Sequence, residues 1–283
     1  MSLIQAIILG IIQGLSEFIP ISSTAHLTIA GKIMGLIDAS HPEQWTHNIA
    51  IIQLGTLVAV LLYFRNDIIN ISSAFIKENF SKSRINILKQ YNEFKLGLYI
   101  IIGTIPIVVI GLTMKDFIES NFTKDLHVIA FSLIILGLIL AYSDAKAKLN
   151  KNIENIKLKE SFFIGLAQCL ALIPGASRSG TTITAGLFLG LNRETAARFS
   201  FLLSIPAILA SGLLSAYSAI KFVNPADVLS LIVAMISAGI SGYLSIAFLL
   251  KFLRNNTVKL FVVYRIALGL LILIAIYGGF LSN

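Results

Sequence analysis

Hydrophobic residues fall into helix-length runs along the chain, and polar residues either separate those runs or interrupt two of them. Clean apolar runs cover 49–64, 96–113, 127–143, 196–215, 227–250 and 260–278. Runs of this kind predict helices that cross a bilayer core of ~30 Å. Residues 3–36 and 161–191 are different: each is broken in its middle, at Pro20 and at Pro174–Gly175. The arms on either side of each break hold about 15 residues, too few to cross that core comfortably. We read both as re-entrant helical hairpins that enter and leave the membrane by one face.

Each hairpin precedes three spans, so the order repeats. The fold expected is an all-α polytopic membrane protein built as two inverted repeats, in a single integral domain over 1–283. The first repeat covers about 1–145, a basic linker 146–160, and the second about 161–283. Residues 37–48 read as a short polar loop, with Trp45 as an interfacial anchor and His41 and His47 as exposed loop residues. Residues 65–95 read as a long basic loop. Faint echoes link the halves: Gln13…Pro20 parallels Gln168…Pro174, off by one residue, and paired broken segments are a pointer to a binding site. Three spans per half invert the second half relative to the first. That threading puts loops 65–95, 144–160 and 251–259 on one side, with fourteen Lys and Arg. Only Lys115, Lys124 and Lys221 lie on the other. The positive-inside rule makes the basic side cytoplasmic and sends the first hairpin in from outside.

Composition agrees. The 283 residues are 56% hydrophobic and 13% charged, with mean hydropathy +0.86, about half the charge of a soluble domain. No ten-residue alternation suggests a barrel. The N-terminus lacks the basic start of a cleavable signal peptide. The net charge of +8 sits in loops between spans, so it reports topology and does not call for nucleic acid. The single Cys169 lies in an apolar run and reads as packing.

The breaks carry the chemistry. The first is QGLSEFIPISSTAH, from Gln13 to His26; the second is PGASRSGTT, from Pro174 to Thr182. Lipid offers polar groups no partner, so these must face protein, a cavity or a ligand. On a helix Gln13 and Glu17 share one face, and two oxygen-bearing side chains there suit a hard divalent cation, Mg²⁺ or Ca²⁺. The alternative is an interhelical hydrogen bond with Glu17 protonated. Ser22, Ser23 and Thr24 sit where an N-cap belongs. Either Ser22 or Ser23 can share a face with His26, the arrangement of an activated nucleophile or of a base holding a water. In the second break Gly175 and Gly180 let backbone approach an anion, and Ser177, Ser179, Thr181 and Thr182 offer hydroxyls at a helix N-terminus. Arg178 adds a planar fork that matches phosphate, or alternatively pairs with Glu17. Arg265, close to the cytoplasmic end of the last span, reads as a snorkelling structural residue. The two breaks together describe a metal-assisted phosphate site inside a membrane, for which a phosphorylated lipid is the natural substrate.

The two motifs, in this order and over essentially the whole chain, resemble the signatures of the undecaprenyl-diphosphate phosphatases, the bacitracin-resistance family. The Gln53–Gly55 and Phe199–Leu203 segments and Tyr264–Arg265 extend the likeness. The resemblance implies hydrolysis of undecaprenyl diphosphate to the monophosphate and inorganic phosphate. It also implies bacitracin resistance, dependence on a divalent cation, and a site opening to the outer face of a bacterial cytoplasmic membrane. Many members carry Glu where this chain has Gln13, which removes one charge from the cation site. The roles implied put Glu17, with Gln13, at the cation. Arg178, Ser177, Ser179, Thr182, Ser22 and the Gly175 and Gly180 backbone hold the diphosphate. His26 activates a water or Ser23, or itself attacks phosphorus. The partners expected are the bilayer and a polyprenyl diphosphate, with a homo-oligomer compatible and nucleic acid not expected. The competing reading is a transporter, since inverted broken helices meeting at the midplane also carry solutes; the density of hydrolytic groups at the breaks argues against it.

Overall fold

A computed structural model describes residues 1–77, 87–219 and 225–281. It is an all-α polytopic membrane protein. Its helices are α1 (Leu3–Phe18), α2 (Ser23–Ile33), α3 (Pro42–Tyr63), α4 (Arg65–Lys77), α5 (Ile87–Thr113), α6 (Lys115–Glu119), α7 (Leu126–Lys146), α8 (Leu158–Gln168), α9 (Arg178–Phe188), α10 (Arg193–Ala219), α11 (Pro225–Leu253) and α12 (Lys259–Tyr277). Among the described residues, six helices are long and apolar enough to cross a membrane: segments of α3, α5, α7, α10, α11 and α12. The short pairs α1–α2 and α8–α9 take up the two broken runs.

Two polar stretches are more ordered than their composition suggests. The 37–48 loop is helical from Pro42, whose fixed φ and missing N–H suit the first turn of a helix. It buries Trp45 and also His47, which the sequence had placed at the surface. The 65–95 loop is mostly helix, as α4 and the start of α5. The amphipathic α4 packs against α5, where Gly97 accepts the ring of Phe75. Lys82, Arg84 and Lys221, counted in the loop charges, lie outside the described residues.

The two short pairs close in the same way. Ser22 and Ser177 are N-caps at positive φ (77° and 68°), accepting from Ala25 N at 3.3 Å and Gly180 N at 3.2 Å. The pairs end alike at Gly35 and Gly190, also at positive φ, with Leu36 N donating to Gly31 O (2.8 Å) and Leu191 N to Gly186 O (3.0 Å). Gln13 and Ser22 are separated by the same number of residues as Gln168 and Ser177. The one-residue mismatch of the sequence echoes therefore sits inside the turn, where α8 stops early and runs through a 3₁₀ turn, Cys169–Leu172. Packing also exchanges between halves. α1 lies along α11, where Gly10 rests on the Ala234 carbonyl. α8 lies along α5, where a Cβ on Gly165 would come within 2.1 Å of the Gly103 carbonyl oxygen. Small residues of this kind let membrane helices touch backbone to backbone.

The ends of each pair meet. Lys151 Nζ bonds both Glu160 at the start of α8 (2.6 Å) and the Leu189 carbonyl at the end of α9 (2.8 Å). Met1 and Leu36, at the two ends of α1–α2, pack into one apolar cluster with Ala6, Leu9 and Trp45. Ion pairs then gather one set of helix ends: Arg193–Asp144, Arg198–Asp67 and Arg254–Glu194. Another set is gathered by Met1–Asp227 and by Lys124, which donates to Thr46 Oγ1 and to the Glu119 and Ser120 carbonyls at 2.7–3.0 Å.

Lys124 is 5% exposed, and burial pushes its ammonium down to about 8, against the opposing pull of Glu119 and Glu43. A lysine whose folded pKa lies below its unfolded one binds fewer protons in the folded state between those values. Stability then rises with pH across that window. The melting temperature of the wild type relative to Lys124→Met should therefore increase from about pH 8 to about pH 10. A difference that stays flat would show that burial does not depress this ammonium.

Candidate functional site

The turns of the two short pairs meet around one carboxylate. Glu17, in the last turn of α1, is 4% exposed and accepts four hydrogen bonds. Gln13 Nε2 (2.9 Å) and Ser23 Oγ (3.0 Å) donate to Oε2, while Gln53 Nε2 (2.9 Å) and Arg178 Nη2 (2.9 Å) donate to Oε1. Helical spacing explains Gln13, one turn earlier. Arg178 arrives at the first position of α9 because Ser177 ends the turn before it. Its fork also reaches the Ser200 carbonyl on α10 at 3.4 Å, and its buried Nε has no partner. Arg178 and Glu17 therefore meet as the pair that the sequence offered as one of its alternatives.

The other hydroxyls sort into two groups. Ser22 Oγ caps α2 and Ser177 Oγ caps α9. Ser179 Oγ lies 3.3 Å from Ser177 Oγ and donates to the Ile19 carbonyl, tying the second turn to the first. Thr182 Oγ1 bonds the Arg178 carbonyl (2.8 Å) and Ser200 Oγ (2.6 Å), and Thr181 Oγ1 bonds the same carbonyl. These threonines brace the backbone under Arg178. Ser23 is the hydroxyl held directly against Glu17. Gly175 sits at φ 86°, and a Cβ there would lie 2.5 Å from the Ile129 carbonyl oxygen, so its glycine answers to the turn and its packing.

The expected hydroxyl–imidazole pair does not form: neither Ser22 Oγ nor Ser23 Oγ bonds His26. His26 Nδ1 instead bonds the Ser22 carbonyl (2.7 Å), and Nε2 bonds Tyr264 Oη on α12 at 2.6 Å, with the two rings stacked. A carbonyl only accepts, so the neutral ring carries its proton on Nδ1 and accepts a hydrogen bond from the Tyr264 hydroxyl at Nε2. Arg265 overturns its reading as a snorkelling residue. It is fully buried and donates to carbonyls of both turns, because the turns reach down to its level in α12. Gln53, Ser200, Tyr264 and Arg265 are thus additions to the motif residues. An arginine inside an apolar span was the available signal for one of them.

The donor set for a cation here is small. Gln13 Oε1 is buried without a partner, beside Glu17. Among the described residues, however, no group of three or more His, Cys, Asp or Glu side chains gathers. One carboxylate and one amide oxygen fit a hard cation that receives its remaining ligands from phosphate oxygens, as Mg²⁺ commonly does. A cavity of about 240 Å³ runs from Thr24, Gln53 and Pro174 to Ser211 and Lys124; Gln53, which donates to Glu17, is its link to the centre, and Glu17, Arg178 and His26 do not line it.

Residues 6–271 match the family model described as bacitracin resistance protein BacA. Similar curated proteins bear the name undecaprenyl-diphosphatase. That of Syntrophobacter fumaroxidans is 53% identical over 269 residues, covering 95% of each chain. That of Prosthecochloris aestuarii is 49% identical over 288 residues, covering 99% of each. That of Myxococcus xanthus is 45% identical over 282 residues, covering all of this chain and 92% of its own.

The two capping serines make opposite demands on a substitution. Glycine accepts positive φ, whereas alanine loses the cap and keeps the strain. Ser22→Ala and Ser177→Ala should each lower stability by about 1 kcal/mol, and the glycine variants by only a few tenths. Equal losses for alanine and glycine, read as melting temperatures, would show that these turns are not strained.

Proposed function

We propose a function from one premise: the chain belongs to the bacitracin resistance protein BacA family. It hydrolyses undecaprenyl diphosphate to undecaprenyl phosphate and inorganic phosphate, as the names of its relatives indicate. That reaction recycles the carrier lipid of peptidoglycan synthesis and confers resistance to bacitracin. The observation that carries this reading at the site is the Glu17–Arg178 pair, a carboxylate and a phosphate-matching fork brought together from two turns in apolar surroundings.

In the mechanism we favour, the diphosphate takes the Arg178 fork, with the Ser177–Gly180 backbone beside it, and the ion pair opens. Glu17 keeps Ser23 on its other oxygen. Ser23 Oγ then bonds to the terminal phosphorus as the bond from that phosphorus to the bridging oxygen breaks. Undecaprenyl phosphate leaves with that bond's electrons, and the Ser23 proton passes to Glu17. Arg178 stabilises the charge on the transferred phosphoryl group. Water next attacks the phosphoserine, giving its proton to His26 Nε2 once Tyr264 has turned aside. Glu17 returns its proton to Ser23 as inorganic phosphate departs. Glu17 and Gln13 would hold Mg²⁺ or Ca²⁺ together with the diphosphate oxygens, and such an ion would neutralise charge on them.

We also hold that the halves are inverted repeats in the bacterial cytoplasmic membrane, with the site opening to the outer face. The two sets of gathered helix ends and the loop charges support this. The cavity supports it too, because its Lys124 wall belongs to the less basic side.

Detergent-purified protein should release phosphate from farnesyl or undecaprenyl diphosphate and stop on chelation. Arg178→Ala and His26→Ala should each slow turnover at least about 10²-fold. With substrate radiolabelled in its terminal phosphate, a denaturing quench near neutral pH, which preserves both phosphoserine and phosphohistidine, should trap label on the protein, and Ser23→Ala should abolish the trapping. Label that persists in Ser23→Ala and vanishes in His26→Ala would move the nucleophile to the imidazole. No phosphate release by folded protein supplied with cation would favour transport.

A further inference from the structure

One buried charge takes no part in the chemistry above. Arg265 is fully shielded from solvent, and among the described residues no carboxylate lies within ion-pair distance of it. Its guanidinium faces only backbone carbonyls. Nη2 reaches Ala176 at 3.0 Å, Gly175 at 3.3 Å and Ser132 at 3.5 Å; Nη1 reaches Pro20 at 3.5 Å; Nε reaches Leu133 at 3.3 Å. The Ala176 bond is the tight one, and the rest are long.

The identity of those carbonyls matters. Pro20 belongs to the first turn and Gly175 and Ala176 to the second, where no helical N–H is in register to pair with them. A carbonyl left unpaired in an apolar interior is costly, so turns at this depth need an external donor. A five-donor planar fork can serve carbonyls from two turns and from α7 at once, and an ammonium cannot. Gly180 opens the space for it: a Cβ there would lie 2.6 Å from Arg265 Nη1. Arg265 thus touches the backbone that presents Ser177 and Arg178, and also the turn that presents Ser22 and Ser23.

Its charge is the second point. Glu17 and Arg178 offset one another, which leaves the centre one positive charge in excess. Carbonyl dipoles offset only part of the cost of burying a guanidinium. A bound anion would offset the rest.

We propose that Arg265 is a positioning residue of the diphosphate site: it fixes the two turns against each other through their carbonyls, and its uncompensated charge is balanced by the bound anion. This rests on the reading of the centre as a phosphate site. Two substitutions separate the parts. Arg265→Lys keeps the charge and loses the fork, while Arg265→Gln loses the charge as well.

The full-length protein in detergent is assayed for phosphate release, and methylenediphosphonate is titrated as a non-hydrolysable inhibitor. Arg265→Lys should lower kcat by about 10²-fold, the scale of an ångström's misplacement, with inhibitor affinity kept within about threefold. Arg265→Gln should lose about tenfold or more in inhibitor affinity besides, the effect of one lost charge interaction. Wild-type kcat in Arg265→Lys would overturn the positioning role. Equal inhibitor affinity in the Lys and Gln variants would overturn the charge role. If Arg265→Gln fails to fold, Arg265→Lys still decides: a loss of inhibitor affinity as large as its loss of kcat contradicts the proposal. A wild type that neither releases phosphate nor binds the bisphosphonate would instead sink the phosphate reading itself.

Discussion

A carboxylate and a guanidinium meet 2.9 Å apart inside a protein more than half hydrophobic, and each offsets the cost of burying the other. Each is delivered at a turn between two short helices, Glu17 at the end of α1 and Arg178 at the start of α9. The two turns are held together because separating them would strand both charges. The remaining polar groups follow from this pairing. Gln13, Gln53 and Ser23 complete the shell of the carboxylate, the Ser200 carbonyl accepts from the guanidinium, and the threonines after Arg178 brace its backbone.

The turns are near copies, with a positive-φ serine cap at the start of one helix and a positive-φ glycine at its end. What differs is the residue after the cap. Ser23 follows Ser22, and Arg178 follows Ser177. One local geometry thus presents a hydroxyl on one side and a fixed positive charge on the other, both directed at Glu17. Strain of this kind persists where surrounding structure over-determines the backbone. Here the surroundings include Arg265, which reaches carbonyls of both turns.

Much of this was legible in the sequence. Six spans and two broken runs follow from apolar lengths, because lipid forces the backbone into helices. Polar residues in apolar surroundings marked both halves of the site, and the Glu17–Arg178 pairing was among the readings they allowed. Other features were not legible for physical reasons. Tyr264 meets His26 across more than two hundred residues, and no local periodicity carries that contact. Arg265 looked peripheral because its depth was judged along its own helix, whereas the turns come to it. Helical spacing alone allowed Ser23 a place beside His26, but the serine hydroxyl is taken by Glu17. The polar segments at 42–48 and 65–77 are helical because Pro42 starts the one and the other packs its apolar face against α5, which charge counts do not report.

The claim that one ion pair joins two turns into one site is tested most directly by a double-mutant cycle on stability. Glu17→Gln, Arg178→Met and the double variant would be compared with the wild type by thermal unfolding in detergent. Each single variant should lose about 3 kcal/mol or more, since each strands a buried charge, and the double variant should be no worse than the milder single. Losses that add in the double variant would contradict that claim, because the two side chains would then act independently.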